Sequence, residues 1–81
     1  MTNSSQRSPA SGRPIVDCLG MACPRPIIEL AKRIGGVEIG AEIELLADDP
    51  AAEPDLVAWC RMRGQELVRA TAPSFVVRRV S

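Results

Sequence analysis

Residues 15–36 read IVDCLGMACPRPIIELAKRIGG, and the spacing of their apolar side chains changes part-way along. Ile15 and Val16 lead into a turn at Gly20, as in a short strand followed by a loop. After Pro24, apolar residues recur every three or four positions, which is the spacing of one helical face. They are Ile27, Leu30, Ala31 and Ile34. The stretch therefore predicts a strand, a loop and a helix that Gly35-Gly36 ends.

Charged residues occupy the opposite side of this predicted helix. They are Arg25, Glu29, Lys32 and Arg33. Glu29 can pair with Arg33 four residues on, and basic residues in the last turn suit the negative C-terminal end of a helix. The helix is thus expected to have one buried and one solvated face.

The rest of the chain adds a strand, a second helix and two more strands. Residues 42–47 alternate, with Ile43, Leu45 and Ala47 on one side. Asp48-Asp49-Pro50 stops this strand and supplies capping side chains. A helix follows, with Pro54 in its first turn and Gly64 at its end; its apolar side comprises Leu56, Val57, Trp59 and Cys60. Residues 66–70 and 75–80 are predicted strands, joined by a turn over 71–74. The predicted fold is an α/β two-layer sandwich, βαβαββ, with a four-stranded mixed sheet and two helices on one face.

Length and charge restrict the classes of function. The chain has 81 residues, enough for one domain; residues 1–13, rich in Ser, predict a disordered tail and residues 14–81 the folded domain. Ten basic and ten acidic side chains cancel, so nothing indicates direct binding of nucleic acid or of an anionic membrane. No transmembrane segment or secretion signal is visible, and we expect a soluble, cytoplasmic protein.

Three cysteines and no histidine limit the chemistry. An odd cysteine count in a chain without an export signal argues against a disulfide framework. The absence of histidine removes the base of a Cys–His hydrolase, and three cysteines do not complete a four-ligand zinc site. We therefore expect neither a metal nor a cofactor, and a working cysteine must be activated by its surroundings.

Cys23-Pro24-Arg25-Pro26 lies where strand gives way to helix, and Cys23 is the candidate catalytic residue. Pro24 favours extended angles at Cys23 and suits the first helical position, so Cys23 is the predicted N-cap. Pro26 disfavours helical angles at Arg25, so a start one residue later is the alternative. The helix dipole and the charge of Arg25 would then lower the pKa of the Cys23 thiol. From the residues alone, a small cysteine buried at a turn is about equally plausible.

The remaining candidates have simpler explanations. Cys60 lies on an apolar helical face and is predicted to be buried, whereas Cys18 could lie on either face of its strand. Asp48 and Asp49 are interpreted as caps rather than as a metal or acid–base pair. Five arginines could form a basic patch for a partner or simply a solvated face; they are Arg61, Arg63, Arg69, Arg78 and Arg79.

Taken together, these motifs resemble the TusA/SirA family of sulfur carriers. The matching residues are Asp17, Gly20, Cys23-Pro24-Arg25-Pro26, Gly40-Ala41-Glu42, Ala47-Asp48-Asp49-Pro50, Trp59-Cys60 and Gly64-Gln65-Glu66-Leu67. The resemblance implies that Cys23 accepts sulfane sulfur as a persulfide, with Pro24, Arg25 and Pro26 as its supporting motif. It implies a cysteine desulfurase or rhodanese-like donor and a DsrE-type or other sulfur-accepting recipient, in tRNA thiolation, sulfur oxidation or molybdenum-cofactor pathways. Such a carrier needs one nucleophile, because its partners supply the remaining chemistry.

Two other functions remain open at this point. One is a thiol–disulfide switch that uses Cys18 and Cys23, although four residues separate them and a redox pair is usually closer. The other is a small nucleic-acid-binding or regulatory module. Neutral charge and the lack of an aromatic surface for base stacking count against it.

Overall fold

The computed structural model describes residues 13–81, so the predicted tail lies outside the described part except for Arg13. The helices and strands are β1 (Ile15–Asp17), α1 (Arg25–Ile34), β2 (Glu42–Leu46), α2 (Ala52–Arg63), β3 (Glu66–Thr71) and β4 (Ser74–Arg78). The predicted order βαβαββ is confirmed. Neither helix is long and apolar enough, within the described residues, to cross a membrane.

The four strands form one mixed sheet in the order β1-β2-β4-β3. β1 and β2 are parallel, because α1 carries the chain from the end of one strand back to the start of the other. β4 pairs antiparallel with β2 on one side and with β3 on the other. The last strand is therefore an interior strand, and the predicted mixed sheet is confirmed.

Helices and sheet bury a common apolar core. The sheet contributes Val16, Ile43, Leu45, Phe75 and Val77, and the helices contribute Pro26, Ile27, Leu30, Ile34, Ala52, Leu56, Trp59 and Cys60. The alternation predicted for β2 is confirmed. The prediction that Ala31 and Val57 lie in the core is wrong, because Ala31 is exposed and Val57 is 36% exposed. Ala31 follows fully buried Leu30 by one residue, a turn of about 100°, and so lies at the edge of the apolar stripe.

The opposite face of the sheet is covered by cross-strand polar contacts. Arg78 donates to Glu42 Oε2 at 3.0 Å and to Glu66 Oε1 at 2.8 Å, across both neighbouring strands. Arg13 Nη1 lies 3.1 Å from the other oxygen of Glu42. These ion pairs, together with the buried side chain of Val76, cover this face of the sheet, so it needs no further layer of helices.

The five arginines do not form one basic patch. Arg69 donates to Ser74 and Arg78 pairs with acidic residues, both on the open face of the sheet. Arg79 donates to the carbonyl oxygens of Gly35 and Val37, at 3.3 and 2.8 Å. The solvated-face interpretation therefore fits better than a partner-binding patch.

One predicted ion pair is also corrected. Glu29 lies 3.5 Å from Lys32, one turn along α1, rather than pairing with Arg33. Both spacings bring side chains together on a helix surface, so the choice between them is worth only a few tenths of a kcal/mol, about 0.2–0.5.

Candidate functional site

Cys23 lies in the loop between β1 and α1, and this loop is tied to the one that leads into α2. Gly20 N donates to Asp48 Oδ1 at 3.0 Å, and Cys23 N donates to Asp49 Oδ2 at 3.4 Å. Asp49 Oδ1 also accepts from Ala51 N at 2.8 Å, a local turn before α2. Ala51 is the N-cap and no side chain caps this helix, so the predicted capping role of Asp49 is wrong. Asp48 was predicted to cap the same helix, but its carboxylate accepts from Gly20 N instead. The two aspartates thus fasten the candidate loop to the second helix.

The start of α1 lies one residue later than a cap at Cys23 requires, at the alternative position that the prolines indicated. Pro24 rather than Cys23 is the N-cap, and the helix begins at Arg25. Pro26 then lies in the first turn, where its missing N–H costs no hydrogen bond within the helix. Cys23 therefore precedes the helix instead of capping it, and no side chain forms a capping hydrogen bond.

The first turn of α1 has no spare main-chain donor for the sulfur. Pro24 and Pro26 lack N–H groups. Arg25 N donates to Ala22 O at 3.0 Å, and the amides of Ile27 and Ile28 both donate to Pro24 O at 3.1 Å. A thiolate at Cys23 consequently lacks the amide cradle that a helix N-terminus usually provides.

The three cysteines differ in exposure. Cys18 is 1% exposed and Cys60 is 4% exposed, and both belong to the core. Cys23 is partly buried and packs against that core, so the prediction that it is exposed needs correction. All three are free thiols. Among them Cys23 is the cysteine that another protein could reach.

The electrostatic surroundings of Cys23 oppose the predicted activation. Burial, together with the carboxylates of Asp55 and Asp49, raises the pKa of the Cys23 thiol above its ordinary value. Arg25 was predicted to lower this pKa, and the prediction is wrong. The charge of Arg25 acts on Cys18 instead, and there burial and Glu29 outweigh it and raise the pKa. Burial raises the pKa of Cys60 to about 11. In the free protein all three cysteines therefore favour the neutral thiol.

The supporting motif shapes the site more than it activates the sulfur. Pro26 is fully buried beneath the loop, whereas Pro24 and Arg25 are exposed. Exposed apolar side chains occur beside them in the sequence, with Leu19 in the same loop and Ile28 in the first turn of α1. Within residues 13–81 no group of His, Cys, Asp and Glu is arranged to hold a metal ion.

Residues 15–79, almost the whole described domain, match the family model described as "Sulfurtransferase TusA". The chain belongs to the TusA family. A relative in Archaeoglobus fulgidus, named "Putative sulfur carrier protein", is 49% identical over 53 residues, covering 65% of this chain and 69% of the relative. Another in Bacillus subtilis, "Putative sulfur carrier protein YrkI", is 37% identical over 57 residues, or 70% of this chain and 76% of the relative. This TusA-family domain has the sandwich fold that the resemblance implied.

Sequence reasoning missed the contribution of Asp55 and gave Asp49 only part of its role. Both lie more than twenty residues from Cys23 along the chain and reach it because the two loops pack together. The Asp48-Asp49-Pro50 motif was the available signal, but a capping role near α2 was already a sufficient explanation for these aspartates. A contact between two loops has no periodicity that could reveal it.

Proposed function

We propose that this TusA-family chain is a sulfur carrier that accepts sulfane sulfur as a persulfide on Cys23 and passes it to a partner protein. The observation that carries the proposal is that Cys23 alone among the three cysteines lies outside the enclosed core, in the loop that precedes α1. Family membership and the names of its relatives support a carrier role.

The proposed loading step conserves sulfur and needs no outside oxidant. Cys23 loses its thiol proton, and its Sγ attacks the terminal sulfur of a cysteine persulfide on the donor. A new S–S bond forms on Cys23 while the donor's S–S bond breaks, and its electron pair passes to the donor cysteine, which takes up a proton. In the unloading step, a recipient thiolate attacks the terminal sulfur on Cys23. Cys23 leaves as the thiolate and takes up a proton.

The partners follow from this chemistry. A donor must generate a protein-bound persulfide, as a cysteine desulfurase or a rhodanese-like protein does. A recipient must present a nucleophilic cysteine, as a DsrE-type or other sulfur-accepting protein would, in a pathway such as tRNA thiolation. Leu19 and Ile28, about half exposed at 47% and 48%, offer apolar surface on the loop and helix next to Cys23 in sequence.

The test is transfer from a purified cysteine desulfurase supplied with free cysteine. After incubation, the intact mass of the carrier should increase by one sulfur atom, and a reducing agent should remove the increase. Cys23→Ser should fold normally and gain no sulfur. Cys18→Ala and Cys60→Ala are the matched controls, and both should still load.

Other outcomes would reassign the function. Loading that survives in Cys23→Ser but disappears in Cys18→Ala would move the site to Cys18. Loss of loading in both variants would favour the thiol–disulfide mechanism that uses the two cysteines together. If no variant or wild-type protein loads from a desulfurase or a rhodanese-like donor, the carrier proposal is wrong.

A further inference from the structure

The main chain at Cys23 is fixed from two sides, by the start of α1 after it and by a carboxylate before it. On the helix side, Pro26 is fully buried and Arg25 N donates to Ala22 O at 3.0 Å. On the other side, Cys23 N donates to Asp49 Oδ2 at 3.4 Å. Because only Cα and Cβ separate Sγ from this nitrogen, rotation about χ1 alone is left to place the sulfur.

Asp49 uses its two carboxylate oxygens for two different main-chain donors. Oδ1 accepts from Ala51 N at 2.8 Å, and Oδ2 accepts from Cys23 N. The first bond fixes the carboxylate at the turn before α2, so the second bond sets where Cys23 lies relative to that helix. An ionised carboxylate accepts at both oxygens, whereas the amide of asparagine has one acceptor and one donor group. Asparagine has the same shape and therefore cannot make both bonds.

The neighbouring aspartate has a simpler role in the same loop. Asp48 Oδ1 accepts from Gly20 N at 3.0 Å, close to the end of β1. One acceptor oxygen is sufficient for this bond. Asp48 therefore fastens the loop where it leaves the strand, whereas Asp49 fastens the residue that carries the sulfur.

We propose that Asp49 is a positioning residue for sulfur transfer, one that holds the main chain of Cys23 so that Sγ meets a partner's persulfide in one orientation. This inference rests on the proposed carrier function. A docked protein brings its sulfur from a fixed direction, and reaction requires the attacking and leaving atoms to be aligned. A small reagent can approach from any direction. Asp49 takes no proton and forms no bond to sulfur, so the exchange itself is unchanged.

The charge of Asp49 has the opposite effect on the reaction. After burial and Asp55, this charge contributes to the raised pKa of the Cys23 thiol. Its removal favours the thiolate, which is the form that attacks a persulfide. A purely electrostatic role therefore predicts faster loading in Asp49→Asn, and a positioning role predicts slower loading. The sign of the change separates the two roles.

The test compares the loading kinetics of wild type and Asp49→Asn, with a purified cysteine desulfurase, excess free cysteine and a series of carrier concentrations. The maximal rate should fall at least about fivefold, the factor that one lost hydrogen bond corresponds to. KM should stay unchanged, because the docking surface is not altered. Alkylation of Cys23 by iodoacetamide should be as fast as in wild type or faster. Glu53→Gln removes a carboxylate from the exposed side of the first turn of α2 and should load as wild type does.

A second measurement does not depend on sulfur chemistry. In protein labelled with ¹⁵N, NMR would follow hydrogen exchange of the Cys23 amide, which should be faster in Asp49→Asn than in wild type. Exchange of the Gly20 amide, which Asp48 holds, should not change. If wild type does not load while the Cys23 amide responds in this way, the carrier function fails and the positioning of Cys23 by Asp49 stands.

Asp49→Ala separates positioning from stability. Alanine loses both bonds, whereas asparagine keeps the shorter, local bond from Ala51 N. Both variants should load equally slowly, although Asp49→Ala is the less stable protein. Slow loading in Asp49→Ala alone would assign the loss to the turn at Ala51 and overturn the proposal. Wild-type loading rates in both variants, or unchanged exchange of the Cys23 amide, would overturn it as well.

Discussion

Selective alkylation of the three cysteines in the folded protein tests the site assignment most directly. Native protein would be exposed to iodoacetamide at about pH 8, where an unperturbed thiol with a pKa near 8.5 is about one quarter thiolate. Burial raises the pKa of Cys60 to about 11. At about pH 8, Cys60 is therefore about one part in a thousand thiolate, roughly 200-fold less than an unperturbed cysteine.

The difference in exposure among the three cysteines adds to this difference in thiolate fraction. Cys60 is 4% exposed and Cys18 is 1% exposed, so reagent reaches either sulfur only when the core opens. Cys23 is partly exposed, and although its pKa is also raised, no opening is required. We expect a single label per molecule, on Cys23, at a rate at least about tenfold above that of Cys18 or Cys60.

The assay is quenched labelling followed by denaturation, a second isotopic label and peptide mass spectrometry. Trypsin does not separate Cys18 from Cys23, because no Lys or Arg lies between them, so fragment ions must assign the label within one peptide. In concentrated urea all three cysteines should label at similar rates, which serves as the control. If Cys18 or Cys60 labels as fast as Cys23 in the folded protein, the burial argument and the choice of Cys23 are refuted.

Two further predictions concern stability. Because the folded pKa of Cys60 is about 11 and an unfolded thiol titrates near 8.5, the unfolded chain ionises first as pH rises. The free energy of unfolding should therefore fall between about pH 8.5 and 11, with up to about 3 kcal/mol of the fall due to Cys60. Urea titrations across this pH range should show a smaller fall for Cys60→Ala. If the free energy of unfolding falls equally with pH in both proteins, this thiol is not buried. Asp49→Ala should cost about 1–2 kcal/mol through lost bonds to Ala51 and Cys23, and Asp49→Asn, which keeps an acceptor oxygen, should cost less than half of that. Superimposable urea curves for wild type and Asp49→Ala would show that these bonds contribute nothing.

The fold could be predicted because its signals are local. Alternation in β2 and the spacing of Ile27, Leu30 and Ile34 in α1 each report burial on one side, and both are confirmed. Gly64, with φ +74°, ends α2 as its position after the apolar run indicated. Elements whose neighbours in sequence are also neighbours in space leave such patterns.

The electrostatics of the site could not be predicted in the same way. Cys23 followed by Pro24 suggests an activated helix-capping cysteine. The outcome depends, however, on the carbonyl oxygens to which the amides of Arg25, Ile27 and Ile28 are already bonded. It depends equally on where α2 places Asp55, a residue 32 positions away in the sequence. The pKa of a side chain sums contributions from every element packed around it, whereas a motif describes only one.

The interior position of β4 also has a consequence for the order of folding. The unit β1–α1–β2 and the β3–β4 hairpin each consist of contacts between nearby parts of the chain. Joining them requires β2 to meet β4, for example Glu42 opposite Arg78, across 36 positions. Closing that loop costs conformational entropy before the pairing offsets it, so this step should set the folding rate. A chain interrupted before Ser74 would leave β2 and β3 with unpaired edges, the form most prone to aggregate.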